Sequence, residues 1–298
     1  MGEVWSATDL RTGADVAVKL SHGWAASEPE LLARFEREGK LLKRIKSPFI
    51  CALVDFGRTA EGVPYMVLER LTGETLDQLL TREGYLPMAE VGRIADEILQ
   101  ALVVAHGAAI VHRDLSPANV FLHRTPDGKT LTKILDFGIA KVGGTGGPST
   151  ASHVTMGTLA YVAPEQLGDS AKAGPSADLY AVGTLVFRAL TGQMPYGAAK
   201  GTPLVVLKRE TDVPSIDEAT GEKWPAALRT FLAKTMARLP AKRYPSAEVA
   251  LGAWRDAMRG KGPRLTAPEK PNEAPRTLTL DDNASRNPQR RAPKSRIT

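Results

Sequence analysis

His112-Arg113-Asp114-Leu115-Ser116-Pro117-Ala118-Asn119, followed by Asp136-Phe137-Gly138 seventeen residues after that asparagine, is the stretch that decides how this chain folds. An aspartate positioned by its own loop can accept a hydroxyl proton. The asparagine five residues on and the second aspartate beyond it offer the hard oxygen ligands that Mg²⁺ prefers. Such a set suits phosphoryl transfer, in which catalysis is mostly positioning plus neutralisation of charge by metal. A further tripeptide, Ala163-Pro164-Glu165, follows downstream. Each tripeptide alone recurs by chance; the three in this order are specific.

Outward from that stretch, 298 residues suffice for two packed lobes or one large domain. The single cysteine, Cys51, excludes an internal disulfide framework, fits a reducing cytoplasm, and is expected to pack at a strand edge rather than react. No run approaches the roughly 18 uncharged apolar residues that span a bilayer; the best, Leu179 to Phe187, is half that length and stops at Arg188. A cytoplasmic protein without a membrane span is expected. Residues 1–258 carry 29 Lys/Arg and 29 Asp/Glu, whereas residues 259–298 carry 10 and 4, so the whole net charge of +6 sits in the tail. A neutral body argues against a nucleic-acid-binding fold. The tail holds six prolines and few large apolar residues, and reads as a disordered tail or linker.

The order HRDL-x-x-x-N, DFG, APE resembles the signature set of protein kinases, in particular the eukaryotic-type serine/threonine kinases also found in bacteria. The resemblance covers residues 1 to about 258 and implies an α+β, two-lobed fold with ATP and Mg²⁺ between the lobes: a small antiparallel β lobe over residues 1–70, a larger helical lobe over 71–258, and the tail beyond. Val4–Thr8 and Asp15–Leu20 read as a hairpin around Thr12-Gly13. Of the Gly-rich loop only Gly2 and Val4 match; the first strand and first two glycines are absent, so the reading frame is expected to begin upstream of Met1, the alternative being a clipped lobe. Lys19 ends Val-Ala-Val-Lys and matches the lysine that pairs the α/β-phosphates, with Ala17 in the adenine wall. A helix is expected over Pro29–Ile45, with Leu31, Phe35, Leu42 and Ile45 on one face. On it Glu38 resembles the glutamate that pairs with Lys19, while Glu36 is expected to face Lys40 in solvent. Strands follow at Cys51–Gly57 and Val63–Leu68; Leu68 falls at the gatekeeper position, the backbones of Glu69 and Leu71 at the adenine edge, and Phe121 on the adenine floor.

By the same resemblance Asp114 is the base for the substrate hydroxyl, Asn119 and Asp136 are the Mg²⁺ ligands, His112 is a packed spine residue, and Arg113 is a cation awaiting a phosphorylated loop residue. Ser116 stands where the family usually carries a lysine that steadies the transferred phosphoryl group, which weakens charge stabilisation. Gly143 to Ser152 is a Gly/Ser/Thr loop whose Thr150 and Ser152, with Thr155 beyond, are candidate phosphosites. Thr158 resembles the threonine that shapes the serine/threonine substrate platform. Glu165 and Arg243 are expected to form a buried ion pair. Asp178 is expected to cap a buried helix and to tie down the catalytic-loop backbone. Gly73 to Leu80 reads as the start of the helical lobe, and Met88–Gly107 as a long amphipathic helix with Val91, Ile94, Ile98, Leu102 and Ala105 inward. The implied activity is transfer of the ATP γ-phosphate to protein Ser/Thr hydroxyls, with autophosphorylation in a homodimer. Two alternatives stand beside it: a pseudokinase scaffold, favoured by Ser116 and the missing glycines, and a small-molecule phosphotransferase, opposed by Ala-Pro-Glu and its arginine.

Overall fold

The computed structural model describes residues 3–20, 29–137, 158–168 and 173–259. Gly2, Thr150, Ser152, Thr155 and the basic tail after Arg259 lie outside the described residues, as do the side chains of Leu31 and Thr158.

The first segments, rich in Val and Trp and separated by turn residues, form β1 (Glu3–Thr8) and β2 (Asp15–Leu20), closed through Gly13 at φ +71°. With β3 (Leu53–Arg58) and β4 (Pro64–Glu69) they make an antiparallel sheet in the order β1-β2-β4-β3. The register sets Ala17 opposite Leu68 and Lys19 opposite Met66. Helix α1 (Pro29–Leu42) packs on this sheet through Phe35, whose ring meets Phe56 edge-on at 5.9 Å. Gly39 permits that approach: a Cβ there would stand 2.9 Å from the Phe56 ring. A glycine inside a helix costs about 1 kcal/mol relative to alanine, and here close packing offsets it. The helix stops at Leu42 rather than at Ile45, which nonetheless packs on the core from the following turn. Glu36 is solvated as expected but pairs with Arg58 of β3 at 2.6 Å rather than with Lys40, because α1 lies along β3 and brings a guanidinium within reach.

The larger lobe does not begin as helix. Gly73–Thr75 is a strand, β5, and it pairs with β6 (Val120–Arg124), which pairs with β7 (Thr130–Ile134). Thr75 then caps α2 (Leu76–Glu83), its hydroxyl accepting from Gln78 N and its N–H donating to Gln78 Oε1. Helix α3 (Met88–Gly107) has the expected bounds, and all five residues expected inward are buried. Helix α4 (Pro175–Thr191) is buried from Ala177 to Leu190 on nearly every side, as its unbroken apolar run requires. Around it pack α3, α7 (Ala226–Thr235) and α8 (Ala247–Arg259), with α5 (Gly201–Glu210) and α6 (Ile216–Thr220) outside. Gly183 lets α4 meet α7; a Cβ would fall 2.5 Å from Thr235 Oγ1. Trp254, Tyr180, Phe187 and Phe231 fill the centre, each burial contributing roughly 1.5–3 kcal/mol. Asp178 does not cap α4: Gly174 holds the N-cap position, with no side-chain cap, and the aspartate lies within the first turn.

The lobes are joined at the rear as well as along residues 70–72. Cys51 N donates to Ile134 O and Ile134 N to Phe49 O, both at 2.9 Å, so the approach to β3 is stitched to the end of β7.

Candidate active site

The segment Val111 to Asn119 has few partners in regular structure, so its backbone is held by side chains. Asp178, 1% exposed, accepts from His112 N at 2.9 Å, from Arg113 N at 2.8 Å and from His106 Nε2 at 2.8 Å. Arg113 sits at φ +63°, a region that costs a non-glycine residue of order 1 kcal/mol or more and persists only when the surroundings fix it. His112 is fully buried; its Nε2 meets Leu135 O at 2.7 Å and its Nδ1 accepts from Asp114 N at 3.3 Å. A carbonyl partner requires Nε2 to carry the proton, so both ring nitrogens are committed and the ring, 4.8 Å from Phe137, is a packing element.

Asn119 ends the 3-10 turn Pro117–Asn119 and donates Nδ2 to Asp114 O at 2.8 Å and to Asp114 Oδ2 at 3.2 Å. Its carbonyl accepts from Leu135 N at 2.9 Å, which carries the loop to the residue before Asp136. Asp136 is itself left-handed, φ +51°, and its Oδ1 lies 2.6 Å from Lys19 Nζ, reaching down from β2. Asp114 and Asn119 thus form one pair and Lys19 and Asp136 another, and the bond from Leu135 N to Asn119 O links the two. Glu38 is placed half-buried on α1. Ser116 is 4% exposed, and its side chain caps nothing.

Ala17 and Leu68, opposite each other in register, and Phe121 on β6 are half-buried, Leu68 packing against the cluster of Phe35, Leu53 and Met66; Val4 on β1 is exposed. Leu71 is half-buried in the segment that joins the lobes. Glu69 does more with its side chain than the sequence indicated. Its backbone N–H is taken by Ala52 O at 3.0 Å, while Oε1 accepts from Ala52 N at 2.7 Å and from Lys133 Nζ at 2.5 Å. Lys133, on β7, is 7% exposed, so this pair braces the joining segment against the strand that leads to Asp136. Nothing local in the sequence marks it, since the partners are 64 residues apart. Cys51 stands just ahead of β3 with Sγ 3.9 Å from Glu69 O; burial, reinforced by the Glu69 carboxylate, pushes its thiol up to about 12.

The fit of a magnesium ion rests on the donor set. With its amide nitrogen spent on Asp114, Asn119 has Oδ1 to offer, and Asp136 has a half-exposed carboxylate: two hard oxygens, few enough that phosphate oxygens and water complete an octahedron. Away from the cleft, Arg243 holds Glu165 in a two-pronged pair at 2.6 and 2.8 Å, with its own side chain fully buried and bonded to Ser176 O, Ala237 O and Arg238 O. Among the described residues no helix is long and apolar enough to cross a membrane.

Residues 1–254 match the protein kinase domain family. Serine/threonine-protein kinase PknA of Mycobacterium tuberculosis is 35% identical over 277 residues, which cover 90% of this chain and 62% of PknA. Serine/threonine-protein kinase pkn3 of Myxococcus xanthus is 34% identical over 253 residues, 83% of this chain and 46% of that protein. The chain therefore spans about three fifths of PknA's length and less of pkn3's. Among solved structures, the PknI kinase domain of Mycobacterium tuberculosis superposes with TM-score 0.66 at 25% identity, covering 86% of this chain and 91% of that one. Rad53 residues 1–466 in complex with AMP-PNP superposes equally well, TM-score 0.66 at 25% identity, over 85% of this chain and 61% of Rad53.

Proposed function

This chain belongs to the protein kinase domain family, and on that premise we propose that it transfers the γ-phosphate of ATP to serine and threonine hydroxyls of proteins. The observation that carries the reading is the convergence of Asp114, Asn119, Asp136 and Lys19, with Asn119 on the Asp114 carboxylate and Lys19 on Asp136 at 2.6 Å. Asp114 accepts the proton of the incoming hydroxyl, oriented by the Asn119 amide. Lys19 leaves Asp136 in part to hold the α/β-phosphates, an exchange of one oxyanion for another. Asn119 Oδ1 and Asp136 would hold Mg²⁺, which would supply neutralisation of the phosphate charge. Glu38 orients Lys19; Val4, Ala17, Leu68 and Phe121 enclose the adenine, with Gly2 over the phosphates and the Glu69 and Leu71 backbones at its edge. Thr158 shapes the substrate side.

The domain extends over residues 1–258, with the basic tail as a linker. Thr150, Ser152 and Thr155 are the proposed sites of autophosphorylation between two copies of the chain, where Arg113 would meet the added phosphate. The rival reading, a nucleotide-binding scaffold without transfer, draws on the buried, uncharged Ser116. Incubation with labelled ATP, Mg²⁺ and a Ser/Thr-rich protein separates the two. Label on serine or threonine, lost at least about 100-fold in Asp114→Asn and on chelation of Mg²⁺, is the expected result. Equal labelling by Asp114→Asn, or none by either protein, would overturn the assignment.

A further inference from the structure

Lys208 lies on α5 within Leu207-Lys208-Arg209-Glu210, where three consecutive residues are charged. It is instead 0% exposed, one helical turn from buried Leu204 and on the same face. Lysine is almost never fully buried unless its charge is partnered. The partners here are unusual. Nζ donates to Ala160 O and to Val162 O, both at 2.6 Å, and stands 4.8 Å from the centre of the Tyr180 ring on α4. The nearby carboxylate, Glu165, is engaged by Arg243, whose guanidinium carbon lies 5.0 Å from the same tyrosine ring. Among the described residues Lys208 forms no ion pair of its own. Two carbonyl dipoles and an aromatic face are what hold a cation that a methionine of similar length would replace without desolvation cost.

Those carbonyls flank Tyr161, in the segment that runs into Ala163-Pro164-Glu165. The other end of the segment is tied to the catalytic loop: Gln166 Oε1 accepts from Ala163 N at 3.0 Å while its Nε2 donates to Arg113 O at 2.8 Å. Tyr161 and Val162 line one crevice with Arg113, Asp114 and Leu115. A backbone pinned at Ala160 and Val162 on one side and at Arg113 on the other forms the wall along which a polypeptide must lie to present a hydroxyl to Asp114.

We propose that Lys208 is a positioning residue for the protein substrate: its ammonium fixes the Ala160–Ala163 backbone that forms the wall beside Asp114. The proposal rests on the protein-kinase reading above and adds the device that sets its substrate side. Lys208 touches neither nucleotide nor reacting atoms. It acts through two carbonyl oxygens.

The test compares wild type with Lys208→Met, which keeps the length and deletes the charge, and Lys208→Arg, which restores a donor cation. Amide hydrogen exchange over residues 159–166 needs no turnover. At pH 6.5 Lys208→Met should exchange there about tenfold faster, the loss of hydrogen bonds to a charged donor, with α3 and α4 unchanged. In steady-state assays the peptide KM should rise by about the same factor while the KM for ATP stays within about twofold, and Lys208→Arg should recover part of the peptide KM. Unchanged exchange in Lys208→Met overturns the proposal, as does a peptide KM that moves only together with the KM for ATP. A wild-type protein that phosphorylates no peptide overturns the phosphotransfer reading, and the exchange comparison then decides the anchoring role separately.

Discussion

The carboxylate of Asp178, carried by the first turn of α4, accepts the backbone N–H of Arg113 at 2.8 Å and holds that residue at φ +63°. The same carboxylate takes His112 N and His106 Nε2, so the loop before Asp114 is templated by one buried charge in the centre of the helical lobe. Loss of that template leaves the backbone N–H groups of His112 and Arg113 without an acceptor, at about 1–3 kcal/mol each, besides His106 Nε2. Asp178→Ala should therefore lower the urea-unfolding free energy by about 2–5 kcal/mol. It should also reduce kcat by about 100-fold through misplacement of Asp114. An Asp178→Ala protein with wild-type kcat would show that the loop conformation is fixed elsewhere.

Arg243 and Glu165 form a pair in which the guanidinium is fully buried and the carboxylate partly open. Removing the carboxylate strands the buried cation, so Glu165→Ala should cost about 3–5 kcal/mol. The combination Glu165→Leu with Arg243→Met should recover much of that loss, because no uncompensated charge remains. Denaturant midpoints of the single and double variants measure the coupling. Additive losses would mean that the two residues act independently.

Lys208 gives a pH signature of definite sign. Burial pushes its ammonium down to about 7 from an ordinary 10.5, with Arg243 adding to the effect and Glu165 opposing it. Tyr180, whose ring Lys208 stands over, is pushed upward by burial and stays neutral. Below pH 7 the lysine is protonated in both folded and unfolded chains, and the cost of the buried charge is fully present. Between about 7 and 10.5 the unfolded chain binds a proton that the folded one lacks, so this group makes stability rise with pH. The unfolding free energy of wild type should thus gain on that of Lys208→Met across this window, by up to about 1.4 kcal/mol per pH unit. A flat difference from pH 6 to 10 would contradict it.

Cys51 should resist alkylation. A thiol held up at about 12 has roughly a thousandfold less thiolate at pH 8 than an ordinary cysteine. Iodoacetamide should label the native protein at pH 8 about a thousandfold more slowly than the urea-unfolded chain. Similar rates in the two states would show the thiol to be open and ionisable.

Much of this architecture was legible because its signals are local. Strand-forming residues beside the turn at Thr12-Gly13 place Asp15–Leu20, and amphipathic helical spacing places Met88–Gly107, each with the observed bounds. The strands β6 and β7 between Asn119 and Asp136 form a hairpin that returns the chain to its starting point, so that Leu135 N bonds Asn119 O while Asp136 meets Lys19. That hairpin itself went unread. Val120–Arg124 is too short to display a period, and Thr130–Ile134 carries Lys133, which looks solvated until its distant partner Glu69 is in place. Glu36 likewise had a tempting neighbour at Lys40, and only the lie of α1 along β3 awards it to Arg58. Asp178 resembles a helix cap by position, yet three donors from elsewhere in the chain outbid the helix terminus. Lys208 did leave a trace: four residues after Leu204, it falls on the inward face.

The stitch between Cys51, Phe49 and Ile134, with the Glu69–Lys133 pair beside it, lies behind the cleft rather than at its entrance. A book bound along its spine opens at one edge. Any swing of the small sheet against the helical lobe would be restrained at this seam as well as along residues 70–72.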